Sequence, residues 1–122
     1  MSKRVLVVDD DLVLLEMVDR WLSLAGHSVT TLTDFEDARQ FLAHTTPDVL
    51  IADVRLGAFN GIHLALHLRD REAQVPIVVV SGFEDVVLRE EVARCGGTFM
   101  LKPLTAPALL AHVQDDPTPP GH

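Results

Sequence analysis

Three consecutive aspartates, Asp9, Asp10 and Asp11, follow the apolar sequence VLVV near the start of the chain. Neighbouring carboxylates repel one another, and the turn between a strand and a helix needs only one of them, as a helix N-cap. A fourth aspartate, Asp53, ends the apolar sequence VLIAD, and Lys102 follows FML. Proteins hold Mg²⁺ through carboxylates, and a bound cation relieves their mutual repulsion. We therefore expect Asp9, Asp10 and Asp53 to form a magnesium site.

The chemistry that best fits these residue types is phosphoryl transfer to a carboxylate. Asp53 can act as a nucleophile and form an aspartyl phosphate. Lys102 can neutralise a phosphoryl oxygen. Another apolar sequence, IVVVS, ends in Ser81, which Gly82 follows. The Ser81 hydroxyl and the Gly82 N–H can hydrogen-bond the same phosphoryl group.

Short β-branched sequences alternate with helical periodicity five times in the first 114 residues. This alternation predicts an α/β fold with a parallel sheet and helices on both of its faces. Asp11 and Asp34 are expected to cap the first two helices, and Glu84–Cys95 is predicted to be the fourth, with acidic residues near its start. The predicted strands cover residues 5–8, 28–32, 49–52, 77–80 and 98–101.

Ligands of an open parallel sheet bind beyond the carboxyl ends of its strands. Asp9, Asp53, Ser81 and Lys102 each follow a different predicted strand, so the fold would bring them to one rim. Taken singly, each has an ordinary explanation as a helix cap, a turn residue or a surface lysine. The four sequences share only that rim, which favours a common site. The second strand adds no such residue, which suits an edge strand.

The composition limits the function classes. A chain of 122 residues that is 48% hydrophobic and 23% charged fits one globular domain. Its formal net charge of −8 disfavours direct nucleic-acid binding. Cys95 is the single cysteine, which excludes an intrachain disulfide and disfavours a thiolate metal site. No signal peptide is evident and no apolar run approaches the roughly 18 residues of a membrane span, so we expect a cytoplasmic protein.

These sequences resemble the receiver domain of response regulators, the phosphate-accepting module of two-component signalling. The pieces VLVVDDD, VLIADVRLGAFNG, VVVSG and FMLKPL occur in the order and spacing of that family. The resemblance implies a flavodoxin-like doubly wound (βα)5 domain over residues 1–114, with strand order 2-1-3-4-5. Residues 115–122, DDPTPPGH, are expected to be a disordered tail or the start of a linker.

By the same resemblance, Asp53 is the phosphoacceptor of a phosphorelay switch that is not a turnover enzyme. The implied donor is a histidine kinase, a phosphotransfer protein or a small acyl phosphate. Asp9, Asp10 and Asp53 would hold Mg²⁺ together with the Arg55 backbone carbonyl. Lys102 would be the phosphate-sensing lysine, and its bond to the following proline is expected to be cis, as in similar domains.

The resemblance also implies how a signal would leave the site. Ser81 is the switch hydroxyl and Phe99 the switch aromatic. When Ser81 turns toward the phosphoryl group, the Phe99 ring would move inward. A partner or a second copy would then dock on the face formed by the helix Glu84–Cys95, the strand Thr98–Leu101 and the last helix.

Four positions beside the expected site are distinctive for this chain. Gly57 stands where many receivers have proline, and Asn60 replaces a frequent aspartate; both lie in a turn and leave the chemical set intact. Arg55 and Phe83 occupy positions that vary in the family and are linked to the lifetime of the phosphorylated state. Both are bulky here.

Two other functions stay open at this point. The sequence VVDDDL contains an Asp-x-Asp after a strand and resembles haloacid-dehalogenase-like phosphatases, although Asp53 would then lack a role and the late acidic pair and cap domain are missing. An unphosphorylated pseudo-receiver that only docks a partner is the second, although such domains usually lose part of the acidic set.

His63 and His67 are spaced as a metal pair on a helix, but no third ligand is evident, and we interpret them as two partly exposed histidines.

Overall fold

A computed structural model describes residues 2–55, 61–70 and 75–114. Five parallel strands form one sheet in the order β2-β1-β3-β4-β5, with five helices between and after them. The bounds are β1 Arg4–Val8, α1 Leu12–Leu24, β2 Ser28–Leu32, α2 Phe35–His44, β3 Val49–Asp53, α3 Gly61–Asp70, β4 Ile77–Ser81, α4 Val86–Arg94, β5 Thr98–Leu101 and α5 Ala106–Gln114. The predicted doubly wound fold and its strand order are confirmed, and β2 is an edge strand as expected.

The sheet is covered by helices on both faces because its inner strands are apolar on both sides. Every residue of β3 and β4 is buried. One core lies between the sheet and the three helices α2, α3 and α4. The other lies between the sheet and α1 and α5. Since alternate residues of a strand face opposite sides, each strand contributes to both cores, and its carboxyl end is left for polar residues.

Aspartate caps fix where the helices begin. Asp11 accepts hydrogen bonds from the N–H groups of Val13 and Leu14, and Asp34 accepts one from Asp37, so both predicted caps are confirmed. The prediction that the fourth helix starts at Glu84 is wrong. Its N-cap is Asp85, whose extended backbone and side-chain bonds start the helix at Val86.

The carboxyl ends of four strands meet at one rim. Asp53 pairs with Val80 across β3 and β4, and Ser81 pairs with Leu101 across β4 and β5. Val8, the last residue of β1, pairs with Ala52 of β3. The sheet register therefore brings the residues that follow β1, β3, β4 and β5 to the same edge of the sheet.

Several predictions made from the sequence fall on residues outside the described ranges. Gly57, Asn60, the side chain of His67 and the segment 115–122 are among them. Within the described ranges, none of the helices is long and apolar enough to cross a membrane.

Candidate functional site

The carboxylates of Asp9, Asp10 and Asp53 form a cluster at the rim of the sheet. One oxygen of each lies within 4.8 Å of the others. Asp9 and Asp53 are only 1% and 7% exposed, whereas Asp10 is exposed. Two buried carboxylates and one at the surface thus share a small volume, as their positions after adjacent strands predicted.

Backbone N–H groups orient the two buried carboxylates. The N–H of Asp11 donates to Asp9 Oδ1 at 2.9 Å, and the N–H of Arg55 donates to Asp53 Oδ1 at 3.2 Å. The second oxygen of each carboxylate, Oδ2, contacts the Lys102 ammonium. The three consecutive aspartates therefore have separate places: Asp9 is buried in the cluster, Asp10 lies at its surface, and Asp11 caps α1.

Lys102 lies between the two buried carboxylates. Its Nζ is 3.1 Å from Asp9 Oδ2 and 3.4 Å from Asp53 Oδ2. Its backbone N–H donates to the Ser81 carbonyl at 2.7 Å, and the expected cis bond to Pro103 is present. Burial acts to lower the pKa of Lys102, but the hydrogen bond to Asp9 and the two negative charges outweigh it, so this pKa is raised. The lysine stays charged beside the cluster.

The pKa of Asp9 is raised above its usual value. Burial is the main cause and the charge of Asp53 adds to it, while the Asp11 N–H and Lys102 act in the opposite direction. Burial and the nearby Asp53 charge both disfavour the ionised form of Asp9, and a bound cation would relieve this.

The oxygen atoms of this cluster suit Mg²⁺. Mg²⁺ prefers carboxylate and carbonyl oxygens, with water completing its octahedral shell. Among the residues that the structure describes, Asp9, Asp10 and Asp53 are the set of acidic, histidine or cysteine side chains close enough together to share an ion. The three carboxylates outnumber the single Lys102 ammonium, which gives a cation an electrostatic reason to bind. The role of the Arg55 backbone carbonyl as a metal ligand stays a prediction.

The Ser81 side chain is fully buried, and its hydroxyl is engaged within its own loop. Oγ donates to the Phe83 carbonyl at 2.8 Å and accepts from the Phe83 N–H at 3.2 Å. Gly82 is exposed, and a Cβ placed there would contact nothing within 4 Å. The roles expected for Ser81 and Gly82 toward a phosphoryl group stay predictions.

Arg55 and Phe83 contact each other, which the sequence did not indicate. The Arg55 guanidinium carbon lies 4.6 Å from the centre of the Phe83 ring, within the roughly 6 Å range of a cation–π interaction. The backbone of Arg55 is bonded to Asp53 and that of Phe83 to Ser81. The stacked pair therefore joins the loops after β3 and β4 directly beside the acidic cluster.

Phe99 of β5 is half-buried, and it packs against the core on the α2–α4 side of the sheet. The Arg89 guanidinium lies 4.5 Å from the centre of its ring, and the same guanidinium binds Glu84. No periodic pattern predicted this group, because Glu84 precedes the helix and its contact with Arg89 spans five residues. His63, one of the two histidines considered as a metal pair, is exposed, and its ring is nearly perpendicular to that of Phe35 with the ring centres 6.1 Å apart.

Comparison with known proteins adds an independent result. The family model of the response regulator receiver domain matches residues 5–114. The Regulator of RpoS of Escherichia coli K12 is 33% identical over 104 residues, which are 84% of this chain and 31% of that protein. The transcriptional regulatory protein PrrA of Mycobacterium leprae is 32% identical over 114 residues, 93% of this chain and 49% of that protein. The chain thus spans about a third to a half of the length of these curated relatives.

Solved structures show the same fold. The Francisella response regulator 1452 receiver domain matches with a TM-score of 0.84 at 23% identity, over 92% of this chain and 93% of that chain. The Vibrio cholerae chemotaxis protein CheY4 matches with a TM-score of 0.83 at 26% identity, over 93% of this chain and 98% of that chain. Both likenesses agree with the strand order of the sheet described above.

Proposed function

The chain belongs to the response regulator receiver domain family, and we propose that it is a phosphorylation-activated switch with Asp53 as the phosphoacceptor. Domains of this family are signalling modules of two-component systems rather than turnover enzymes. In the proposal, the donor is a histidine kinase or a phosphotransfer protein, a small acyl phosphate can replace it, and Mg²⁺ is the cofactor.

The observation that carries the proposal is the position of Lys102. Its ammonium contacts Asp9 and Asp53 at 3.1 Å and 3.4 Å, and Asp10 completes the carboxylate cluster. A candidate nucleophile, a set of metal-binding oxygens and a cation that can pair with a phosphoryl oxygen are thus adjacent. Phosphoryl transfer depends mainly on positioning and on electrostatic stabilisation, which are what this arrangement supplies.

In the proposed reaction, an Asp53 oxygen attacks the phosphorus of a phosphohistidine. The new P–O bond forms as the P–N bond breaks, and the electron pair of that bond stays on the nitrogen. The imidazole, protonated at its other nitrogen, leaves neutral. Mg²⁺ would neutralise negative charge on the phosphoryl oxygens. The groups that would hold it are Asp9, Asp10, Asp53 and the Arg55 carbonyl. Lys102 would pair with one of those oxygens in place of a carboxylate.

The signal in this proposal leaves through Ser81 and Phe99. The Ser81 hydroxyl exchanges its bonds to Phe83 for a bond to the phosphoryl group, with the Gly82 N–H as a second donor. The Phe99 ring then moves inward, and the face formed by α4, β5 and α5 repacks. A partner or a second copy of the chain docks on that face, and a shift of a few kcal/mol is enough to change which state dominates.

The two alternatives gain no support from the site. A haloacid-dehalogenase-like phosphatase would leave Asp53 unused, although its carboxylate contacts Lys102. A docking-only pseudo-receiver would not need the acidic set, and all three carboxylates are present and adjacent. We place the switch in the cytoplasm, with its output passed to an effector rather than by direct contact with nucleic acid.

Labelling with an acyl phosphate tests the proposal. In the presence of Mg²⁺ and acetyl phosphate, the protein is expected to gain one acid-stable, base-labile phosphate, measured by intact mass. Asp53→Asn is expected to abolish most of this gain because an amide is not a comparable nucleophile. Asp37→Asn, which changes an exposed aspartate on α2, is the matched control and should label as wild type does. Equal labelling of Asp53→Asn and wild type would refute the assignment.

A further inference from the structure

A charged pair lies against the ring of Phe99, the expected switch aromatic. The Arg89 guanidinium carbon lies 4.5 Å from the centre of the Phe99 ring, and the same ring packs against the core on the α2–α4 side. We propose that Arg89, oriented by Glu84, is a positioning residue that keeps Phe99 outward in the unphosphorylated protein and so sets the resting balance of the switch. The inference rests on the proposed function, because that function gives Phe99 its role.

Glu84 fixes the guanidinium through two parallel hydrogen bonds. Arg89 Nε donates to Glu84 Oε1 at 2.9 Å and Nη2 donates to Oε2 at 2.8 Å. These bonds lower the pKa of Glu84 and raise that of Arg89, so both groups stay ionised at neutral pH. A bidentate pair holds the guanidinium plane more firmly than a single contact would. Glu84 therefore orients the Arg89 guanidinium over the Phe99 ring.

The strand register places Phe99 on the same side of the sheet as Ser81. Phe99 pairs with Val79 of β4, and Val79 faces the core on the α2–α4 side. Alternate residues of a strand share a face, so Ser81, two residues beyond Val79, points to that side as well. The switch hydroxyl and the aromatic ring thus lie one strand apart on a common face.

The loop after β4 connects the hydroxyl to the charged pair. Ser81 Oγ makes two hydrogen bonds to the backbone of Phe83, the residue immediately before Glu84. When the hydroxyl turns to a phosphoryl group, both bonds are lost and the loop that carries Glu84 is released. Release of Glu84 loosens Arg89, which then no longer holds the Phe99 ring outward. The same event would free the space for the ring and remove what restrains it.

The size of the effect follows from the exposed setting of the pair. Both side chains are about half exposed, at 51% for Arg89 and 50% for Glu84. A cation–π contact at an exposed site corresponds to roughly a two- to fivefold change in a population ratio. Loss of Arg89 is therefore expected to increase the inward-to-outward ratio of Phe99 by that factor without any phosphate.

Aromatic and amide NMR of Phe99 tests the inference, with wild type and acetyl phosphate plus Mg²⁺ defining the phosphorylated end point. Without acetyl phosphate, Arg89→Gln should move the Phe99 signals part of the way to that end point, and Glu84→Gln should move them less. Arg89→Lys keeps the charge but not the bidentate bond, and it should fall between wild type and Arg89→Gln. Arg94→Gln removes one positive charge from the far end of α4 and is the matched control.

Two outcomes would overturn the inference. One is that Arg89→Gln and Glu84→Gln leave the Phe99 signals where Arg94→Gln leaves them. The other is that the signals move away from the phosphorylated end point. Failure of the proposed function would give a different result. Wild type would then gain no phosphate at Asp53, as measured by mass, and its Phe99 signals would not shift when acetyl phosphate and Mg²⁺ are added.

Discussion

Asp10→Asn is expected to make the metal-free protein more stable. Asp10 is the exposed member of the cluster, and its carboxylate lies within 4.8 Å of those of Asp9 and Asp53. Lys102 contacts the two buried carboxylates and neutralises one of their two charges. One net negative charge then faces Asp10, and a pair of like charges at this separation repels by about 1 kcal/mol in water. Removal of the Asp10 charge should relieve that repulsion.

Thermal melts in EDTA measure this effect directly. A gain of about 1 kcal/mol corresponds to a rise of about 3–5 °C in Tm for a domain of this size. The rise should shrink in 1 M NaCl, where the screening length falls to about 3 Å. Glu90→Gln, which removes an exposed negative charge on α4, is the control for a general effect of lower net charge.

Mg²⁺ is expected to narrow the difference in stability between Asp10→Asn and wild type. At ten times its dissociation constant, a ligand of the folded state stabilises it by about 1.4 kcal/mol. Wild type should gain this amount, whereas Asp10→Asn has lost one of three carboxylates and should gain less. Destabilisation of Asp10→Asn in EDTA, or an equal gain from Mg²⁺ in both proteins, would refute the assignment of these carboxylates as a metal site.

Three further predictions concern other parts of the molecule. Ser81→Ala should still be phosphorylated, but phosphorylation should cause no further shift of its Phe99 signals, as checked by mass and NMR on one sample before and after acetyl phosphate is added. Arg55→Ala removes the guanidinium stacked on Phe83 and should speed hydrolysis of the aspartyl phosphate several-fold, as measured by phosphate release. Burial lowers the pKa of His27, whose Nε2 is buried without a hydrogen-bond partner. The unfolded chain then binds the proton more readily, so the free energy of unfolding should fall as the pH drops below 6.5, the unperturbed value, and His27→Gln should flatten that fall.

The sequence was sufficient to predict where the reactive side chains meet. Asp9, Asp53, Ser81 and Lys102 follow different strands, and a parallel sheet brings the carboxyl ends of its strands to one edge. The Asp11 cap was predictable for a similar reason, because a polar residue between a strand and an apolar helical pattern has few other places to lie.

Contacts made by loops could not be predicted in this way. The Arg55–Phe83 stack joins two loops, and the Glu84–Arg89 pair spans five residues because the helix begins only at Val86. Neither contact follows a period of two or of 3.6 residues. The direction of the Ser81 hydroxyl depends on a choice between rotamers of similar energy, which the residue type does not fix.

The charges held around Lys102 have a consequence for how far a signal can travel electrostatically. Three carboxylates and one ammonium give the cluster two net negative charges, and a divalent cation would bring it to neutrality. A phosphoryl group on Asp53 would then add only roughly one further negative charge. Dissolved salt screens a charge at the protein surface over about 8 Å at physiological ionic strength. The rest of the domain would therefore respond to phosphorylation mainly through hydrogen bonds that are exchanged and side chains that are displaced.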